Sequence, residues 1–230
     1  MKYALIGTGK TGGAVLSRLP KNDIVAICDI NNPPTHENLS KADVIIVYVP
    51  GNVMSEVLPL LLEVKKPTVI GTTGFGWPKD LDAQLKAANV PWIIASNFSI
   101  GLNVMHYFAR QIQDTFNKIL PGKMQLGMFE KHHTSKLDAP SGTSIYLAKS
   151  LKFPIEEISV AREGDAKGTH TIYFNLPYDG ISITHEAVDR AAFAEGTLIA
   201  CDRVRDLAPG LHSFEELTTS MIRESIGNGQ

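Results

Sequence analysis

Short apolar runs alternate with helical segments over the first hundred residues. Five nearly continuous apolar runs predict strands at Tyr3–Ile6, Ile24–Cys28, Val44–Val49, Thr68–Ile70 and Trp92–Ala95. Segments with helical spacing lie between them, at Thr11–Leu19, Val53–Val64 and Lys79–Ala88. Continuous apolar runs suit strands that are covered on both faces, as in a parallel sheet. The alternation therefore predicts an α/β fold with a Rossmann-like, doubly wound parallel sheet.

The pattern changes after Asn97. Apolar residues at four-residue spacing predict a long helix over Leu102–Phe116. Further strands are predicted at Met124–Phe129, Glu157–Ala161, Thr169–Leu176 and Ile181–Ala187, with one helix at Thr143–Leu151. The chain from about Ala191 to Ile226 has helical spacing, interrupted at Pro209-Gly210. We therefore expect an inserted α+β unit with a predominantly antiparallel sheet and helices on one face.

Composition and charge restrict the classes of protein to which this chain can belong. The 230 residues are 43% apolar and 20% charged, which is typical of a globular protein. The 22 basic and 24 acidic residues give a net charge of −2, without the basic excess of a nucleic-acid-binding protein. Two cysteines, Cys28 and Cys201, are too few for a disulfide framework and favour a reducing, cytoplasmic location. The N-terminal apolar run is too short for a signal peptide, and no membrane association is expected.

A glycine-rich loop follows the first predicted strand and opens the first helix. Residues 7–12 match the pattern G-x-G-x-x-G, which lets a pyrophosphate approach backbone amides at a helix N-terminus. Asp29 follows Gly7 by 22 residues, at the end of the second strand, where an acid can bind ribose hydroxyls. A P-loop needs a glycine five positions before Gly9, and that position is occupied by Ala4, so a P-loop is excluded. The alternative to a dinucleotide site is a tight turn without a ligand.

Two further loops follow the fourth and fifth predicted strands. Ligands of open α/β sheets bind outside the carboxyl ends of the strands, so these loops are expected beside the cofactor. The alternative is that their glycines and polar residues only form turns. The predicted cofactor-binding residues are Gly7, Thr8, Gly9, Lys10, Thr11, Gly12, Asp29, Gly71, Thr72, Thr73, Asn97 and Phe98.

The segment from Glu130 to Thr143 carries the densest chemistry, and we expect it to form a loop between a strand and a helix. It contains the pair His132-His133, a lysine at 136 and a Ser-Gly-Thr turn at 141–143. Imidazoles and a lysine can donate protons and bind an anion, and amides at a helix start can hold a carboxylate. Two other interpretations are a solvated loop and a metal site formed by Glu130, His132 and His133.

The same segment resembles the signature of the dihydrodipicolinate reductase family. It reproduces the family pattern His-His-x-x-Lys-x-Asp-Ala-Pro-Ser-Gly-Thr, and other family-like pieces follow in the expected order. They are the N-terminal glycine loop, residues 71–74, residues 97–101, Arg162-Glu163-Gly164, Gly168-Thr169-His170 and Pro209-Gly210-Leu211.

The resemblance implies a reaction and roles for individual residues. The reaction is the NAD(P)H-dependent reduction of 4-hydroxy-tetrahydrodipicolinate, a small dicarboxylate, to tetrahydrodipicolinate in lysine and diaminopimelate biosynthesis. By resemblance, His132 is the general acid and Lys136 assists protonation and binds substrate. His133, Ser141, Gly142 and Thr143 are expected to contact the substrate. No metal is implied.

The resemblance also implies an organisation. A dinucleotide-binding domain of residues 1–102 and 191–230 encloses a substrate and oligomerisation domain of residues 103–190, which assembles as a homotetramer. Three departures concern the cofactor: Thr11 stands where the family has methionine, Tyr48-Val49-Pro50 replaces an Asp-Phe-Thr piece, and the segment after Asp29 is short.

The cofactor preference follows from charge. Asp29 repels the 2′-phosphate of NADPH, and no arginine follows it, although Lys10 offers a positive charge. We expect NADH to be preferred and NADPH tolerated. Two other functions remain open at this stage: another small Rossmann oxidoreductase acting on an amino acid or aldehyde, and a non-catalytic dinucleotide sensor. The roles of Arg162 and Arg190 are not determined by the pattern.

Overall fold

The computed structural model describes residues 1–227. The chain divides into two compact units. The first contains Met1–Phe98 and the chain from Phe193 onward, and the second contains Ser99–Ala192. No helix within residues 1–227 combines the length and the apolar character needed to cross a membrane.

Ten strands and eight α-helices make up the described chain. The strands are β1 (Tyr3–Ile6), β2 (Ile24–Cys28), β3 (Val44–Val47), β4 (Thr68–Ile70), β5 (Pro91–Ile94), β6 (Gln125–His132), β7 (Ser159–Arg162), β8 (Thr169–Asn175), β9 (Gly180–Glu186) and β10 (Gly210–Ser213). The helices are α1 (Lys10–Leu16), α2 (His36–Leu39), α3 (Gly51–Val64), α4 (Leu81–Ala88), α5 (Ile100–Ile119), α6 (Gly142–Leu151), α7 (Ala191–Val204) and α8 (Phe214–Gly227).

The first unit is built on a six-stranded parallel sheet. Its strand order is β10-β5-β4-β3-β1-β2, so the chain leaves β1 for a neighbour on one side and returns to β3 on the other. Every residue of β1, β3 and β4 is buried, as their continuous apolar runs require. The predicted doubly wound fold is confirmed. The reversal of strand order at β1 and β3 is where ligands bind in such sheets.

Strand β10 was not predicted. The sequence indicates only an interruption at Pro209-Gly210, because Gly210–Ser213 has no apolar run. The strand pairs in parallel with β5 at the sheet edge. The Leu211 amide also donates a hydrogen bond to Asp82 Oδ1 of α4 at 3.0 Å. Its formation depends on contacts distant in sequence, which local periodicity does not contain.

The second unit contains a four-stranded mixed sheet in the order β7-β6-β8-β9. β8 pairs antiparallel with β6 and β9, whereas β7 pairs in parallel with β6. One face packs into an apolar core with α5 and α6, in which Met128, Ile172 and Phe174 contact residues such as Leu102 and Leu147. The expected α+β unit with a predominantly antiparallel sheet is confirmed.

The predicted end of β6 is wrong. The sequence places its end at Phe129 and assigns Glu130 onward to a loop, but the strand continues to His132. Alternation puts Met128, Glu130 and His132 on the buried side of the sheet. Because two of these residues are polar, the apolar pattern stops before the strand does. The extension places a carboxylate and an imidazole inside the second unit.

Candidate active site

A cleft of about 640 Å³ opens in the first unit at the ends of β1, β2 and β3. Two short loops and the start of α3 form its walls. It is lined by Ile6, Gly7, Thr8, Gly9, Asp29, Ile30, Pro33, Pro34, Tyr48, Val49, Pro50, Val53, Glu56, Val57 and Leu60. The cleft therefore lies at the reversal of strand order.

The glycine loop fits this cleft only because it lacks side chains. Gly7 has φ +95°, a left-handed conformation that favours glycine, and a Cβ there would collide with the carbonyl group of Tyr48. A Cβ on Gly12 would collide with the carbonyl oxygen of Gly7, so α1 approaches the loop closely. The loop thus leaves a backbone-lined space of the kind that a pyrophosphate occupies.

Asp29 stands at the end of β2, in the cleft wall. Its Oδ1 accepts hydrogen bonds from the amides of Asn31 at 2.9 Å and Asn32 at 3.1 Å, which hold the short turn that follows. The charged side chains among the lining residues are two carboxylates, Asp29 and Glu56, with no lysine or arginine in that described set.

The structure brings four of the predicted cofactor residues together at the cleft: Gly7, Thr8, Gly9 and Asp29. The others lie outside its lining. Lys10, Thr11 and Gly12 form the first turn of α1, and Lys10 is exposed. Gly71, Thr72 and Thr73 follow β4, and Asn97 and Phe98 follow β5. Phe98 is buried, and its ring packs against Phe214 with ring centroids 4.8 Å apart.

Tyr48 was missed as a site residue. It lies directly after β3, lines the cleft, and its hydroxyl is 2.5 Å from Thr197 Oγ1 of α7. Burial raises the pKa of this hydroxyl, against the opposing effect of the hydrogen bond to Thr197, so it stays protonated. Its position after a central parallel strand is the signal that indicates a ligand contact. The apolar residues of the cleft carried no such signal.

Glu130 is the centre of the polar cluster in the second unit. Its side chain is fully buried and accepts hydrogen bonds from the Ser141 amide at 3.1 Å and from the Ser144 hydroxyl at 2.5 Å. Arg162 of β7 donates to Oε1 at 3.0 Å. Burial alone would raise the pKa of Glu130, but the hydrogen bonds from the two serines and Arg162 outweigh it and lower the pKa to about 2. Glu130 is therefore an anion at neutral pH.

His132 lies one strand position further along the same buried face. It is 7% exposed, and its Nδ1 is 3.7 Å from Glu130 Oε1. Gly168 packs against Nε2, where an added Cβ would lie at 3.1 Å. Burial lowers the pKa of His132, and the Glu130 carboxylate opposes that effect, while the charges of Lys136 and Arg162 reinforce it. The pKa of His132 is therefore below that of a free histidine.

Lys136 lies in the loop after β6. Its ammonium is 2.8 Å from Asp138 Oδ1, and the lysine side chain is largely enclosed. Arg162 fastens this loop by donating to the carbonyl oxygens of Lys136 at 3.4 Å and Asp138 at 2.5 Å. The neighbouring His133 interacts through Nδ1 with the Ser135 hydroxyl at 2.8 Å. The lysine is thus placed close to His132 by a loop with fixed backbone contacts.

The Ser-Gly-Thr turn opens α6. Ser141 is the N-cap, and its hydroxyl accepts a hydrogen bond from the Ser144 amide at 3.2 Å. Ser141 is 2% exposed and its amide is bound to Glu130, so its polar groups serve the turn itself. Gly142 is less buried and begins the helix, where backbone amides favour a carboxylate. Thr143 follows it and is buried.

A metal centre is a poor fit for the described residues. Glu130, His132 and His170 each bring one ligand atom within 4.8 Å of the others, a set that differs from the sequence hypothesis by His170 replacing His133. However, both oxygens of Glu130 already accept hydrogen bonds, one of them from a guanidinium whose charge opposes a cation. The donor set is thus engaged in another role.

Two family models match consecutive parts of the chain. Residues 1–98 match the family described as "Dihydrodipicolinate reductase, N-terminus", and residues 101–217 match "Dihydrodipicolinate reductase, C-terminus". The chain belongs to this family. The resemblance drawn from the 130–143 segment is thereby confirmed.

Relatives of known name match over most of the chain. A 4-hydroxy-tetrahydrodipicolinate reductase from Rickettsia bellii is 30% identical over 94% of this chain and 93% of the relative. The enzyme of the same name from Buchnera aphidicola is 29% identical over 82% of this chain and 76% of the relative. A solved structure, the dipicolinate-bound dihydrodipicolinate reductase from Paenisporosarcina sp. TG-14, is similar in fold, with a TM-score of 0.71 and 22% identity over 94% of this chain and 98% of that one.

His170 of β8 generates a stability prediction. It is 3% exposed, its ring lies 5.2 Å from that of His132, and its two nitrogens have no hydrogen-bond partner among the described residues. Burial, followed by the charge of His132, lowers its pKa to about 3.

We expect His170→Gln to flatten the pH dependence of stability. The pKa of this histidine is about 6.5 in the unfolded chain and about 3 in the folded protein, so between these values only the unfolded state is protonated. The free energy of unfolding of the wild-type protein therefore decreases by roughly 1.4 kcal/mol for each unit that the pH falls through this range. Urea unfolding at pH 7, 6 and 5 measures the slope, with an unchanged m-value as the control. Equal slopes for both proteins would contradict the burial of a neutral imidazole.

Proposed function

We propose that this chain catalyses the NAD(P)H-dependent reduction of 4-hydroxy-tetrahydrodipicolinate to tetrahydrodipicolinate, with loss of water, in lysine and diaminopimelate biosynthesis. The observation that carries the proposal is the cluster around Glu130. It joins an imidazole, a lysine-bearing loop and a helix start in a unit that belongs to the reductase family. Neither a sensor nor an unrelated Rossmann oxidoreductase accounts for a buried proton donor beside an anion-binding turn.

The substrate's carboxylates call for positive charge and amide donors. Lys136 supplies a charge, and the start of α6 at Gly142 and Thr143 supplies amides on the positive end of a helix. His133, on the same loop as Lys136, is positioned to contact the substrate as well. This local site explains how a protein with a net charge of −2 binds a dianion.

Proton delivery falls to His132. The glycine loop and Asp29 would hold NADH or NADPH, which would supply the hydride when bound. Reduction also consumes a proton, which protonated His132 donates from Nε2, the nitrogen on the side away from Glu130. The positive charge of Lys136 favours loss of that proton and stabilises the negative charge that develops on the substrate.

We expect His132→Gln and Lys136→Met to lower kcat much more than they change cofactor affinity. Loss of a general acid typically costs about 10²–10⁴-fold in rate. The assay couples condensation of aspartate semialdehyde and pyruvate to the oxidation of NADH. Lys152→Met, an exposed lysine after α6, is the matched control and should stay within twofold of wild type.

Cofactor affinity is measured separately, by titrating NADH against the intrinsic fluorescence of each variant. Near-normal turnover in either His132→Gln or Lys136→Met would remove that residue from the proposed mechanism. Failure of the wild-type protein to oxidise either NADH or NADPH in the coupled assay would overturn the proposed function itself.

For the cofactor, we propose that NADH is preferred. A 2′-phosphate on the ribose would meet Asp29 in a cleft whose described lining also includes Glu56 and contains no basic side chain. Lys10, which the sequence offers as a positive charge for the 2′-phosphate, is exposed on α1 and lies outside that lining. Without a compensating positive charge, the 2′-phosphate of NADPH is repelled.

The test compares kcat/KM for the two cofactors in wild type and Asp29→Asn. We expect NADH to be favoured at least about tenfold in wild type, a difference of about 1.4 kcal/mol. Asp29→Asn keeps the oxygen that accepts from Asn31 and Asn32, so it should relax the discrimination while preserving the turn. A large preference for NADPH in the wild-type protein would overturn the assignment.

We further propose a homotetramer assembled through the second unit's sheet. The face opposite α5 and α6 carries Tyr173, which is 39% exposed, beside the half-buried Phe129. An exposed aromatic on a strand centre suits contact with another copy of the same surface. Free, buried cysteines at Cys28 and Cys201 fit the proposed cytoplasmic location.

Sedimentation measures the assembly directly. Wild type is expected to sediment as four chains of 25.1 kDa each, and Tyr173→Asp to shift the population to smaller species because it buries a charge in the interface. Ser220→Asp, on α8 of the other unit, is the control. A monomeric wild-type protein would contradict the proposal.

A further inference from the structure

We propose that Glu130 and Arg162 form a positioning pair that fixes the general acid, the lysine loop and the carboxylate-binding turn relative to one another. The inference deepens the proposed reductase function and rests on it for the meaning of those three parts. The sequence pattern leaves the role of Arg162 undetermined and offers Glu130 only as a possible metal ligand, and neither residue is placed to react with the substrate itself. The geometry of their contacts carries the assignment.

Glu130 ties two elements together. It lies on β6, and through its two oxygens it holds the amide of Ser141 and the hydroxyl of Ser144, both at the start of α6. These contacts set the position of Gly142 and Thr143 relative to the strand that carries His132. A carboxylate buried in this way must keep its partners, since an uncompensated buried charge is costly.

Arg162 ties in the third element. Its guanidinium donates to Glu130 at 3.0 Å, to the carbonyl of Asp138 at 2.5 Å and to that of Lys136 at 3.4 Å. A further donation to the carbonyl of Ala161 at 2.8 Å orients the guanidinium on its own strand. One planar cation thereby joins β7 to the loop that presents Lys136. A lysine at this position lacks the fork of donors that spans these acceptors.

The pair also acts on the proton of His132 through charge. Glu130 is 3.7 Å from Nδ1 and favours the protonated imidazole, whereas Arg162 disfavours it. The charged or titratable groups that face His132 from its own strand, from β7, from β8 and from the loop are Glu130, Arg162, His170, Lys136 and Asp138. Of these five groups, Glu130 and Arg162 are the two that both change the pKa of His132 by their charge and hold the backbone of another part of the site by hydrogen bonds.

The experiment uses three variants of the full chain: Glu130→Gln, Arg162→Met and Arg162→Lys. Glu130→Gln removes the negative charge, so the pKa of His132 should fall and the alkaline loss of kcat should move to lower pH. Arg162→Met removes the opposing charge, so both should move to higher pH. Opposite shifts of the His132 pKa in Glu130→Gln and Arg162→Met indicate an effect of charge. Structural damage has no reason to move the pKa in opposite directions in the two variants.

Kinetics separate positioning from charge. Arg162→Met and Arg162→Lys are both expected to raise KM for the substrate about tenfold, because the Lys136 loop loses its anchors, while KM for NADH stays within twofold. Arg162→Lys keeps the positive charge and should retain the wild-type pH profile. Glu163→Gln removes an exposed carboxylate that pairs with Lys131 on the neighbouring strand at 3.5 Å, and as the matched control it should change neither quantity.

The titration of His132 is followed by NMR as well as by kcat, so the positioning pair is tested even if the reductase assay fails. Wild type without activity but with opposite NMR shifts in the two variants would defeat the proposed reaction and retain the pair. If both variants have the circular dichroism of wild type and the pKa of His132 is unchanged, or moves in the same direction in both, the proposal of a positioning pair is wrong. If Glu130→Gln does not fold, the upward shift in Arg162→Met, absent from Arg162→Lys, decides the question.

Discussion

The site in the second unit depends on one buried carboxylate. Glu130 is excluded from water, yet it is ionised, so its desolvation must be offset by donors from its surroundings. Removing one partner of such a buried pair typically costs about 3–5 kcal/mol. The donors come from the start of α6 and from β7, so a shift of either element would leave the buried charge of Glu130 without a hydrogen-bond partner. A requirement of electrostatics thereby becomes a constraint on where the catalytic groups stand.

The first unit meets a different constraint with backbone alone. A pyrophosphate needs close approach to amides, and close approach requires that no side chain intervene. Gly7 and Gly12 satisfy this because a Cβ at either position would collide with a carbonyl group. The strand order then determines where the loop opens, between β1 and β3, and Tyr48 closes the same end of the cleft. The two units thus offer different chemistry, a backbone-lined cleft in one and an imidazole, a lysine and a helix start around a buried carboxylate in the other.

Sequence reasoning succeeded where the determinants are local. The five apolar runs before Asn97, the glycine loop and the helix at 143–151 are each encoded within a few neighbouring residues. It failed where stability comes from distant partners. β10 exists because it pairs with β5 and binds Asp82, and the end of β6 is polar because Glu130 finds its donors eleven or more residues away. Pro33 and Pro34 line the same cleft as Asp29, a placement that the local sequence pattern does not indicate.

The distribution of positive charge in the second unit decides what binds the substrate. Arg162 would be the natural partner for a carboxylate, since its fork of donors matches one. Its donors, however, are directed at Glu130 and at three backbone carbonyls of the described chain, so it is committed inside the protein. The charge of Lys136 has a different kind of partner, because the Asp138 carboxylate 2.8 Å away is itself largely exposed. An ion pair with one exposed member is of low net stability, so in the proposed reaction a substrate carboxylate would replace Asp138 without disturbing Arg162. The proposed function thus assigns the two cations different parts: Arg162 holds the loop in place, and Lys136 binds the substrate.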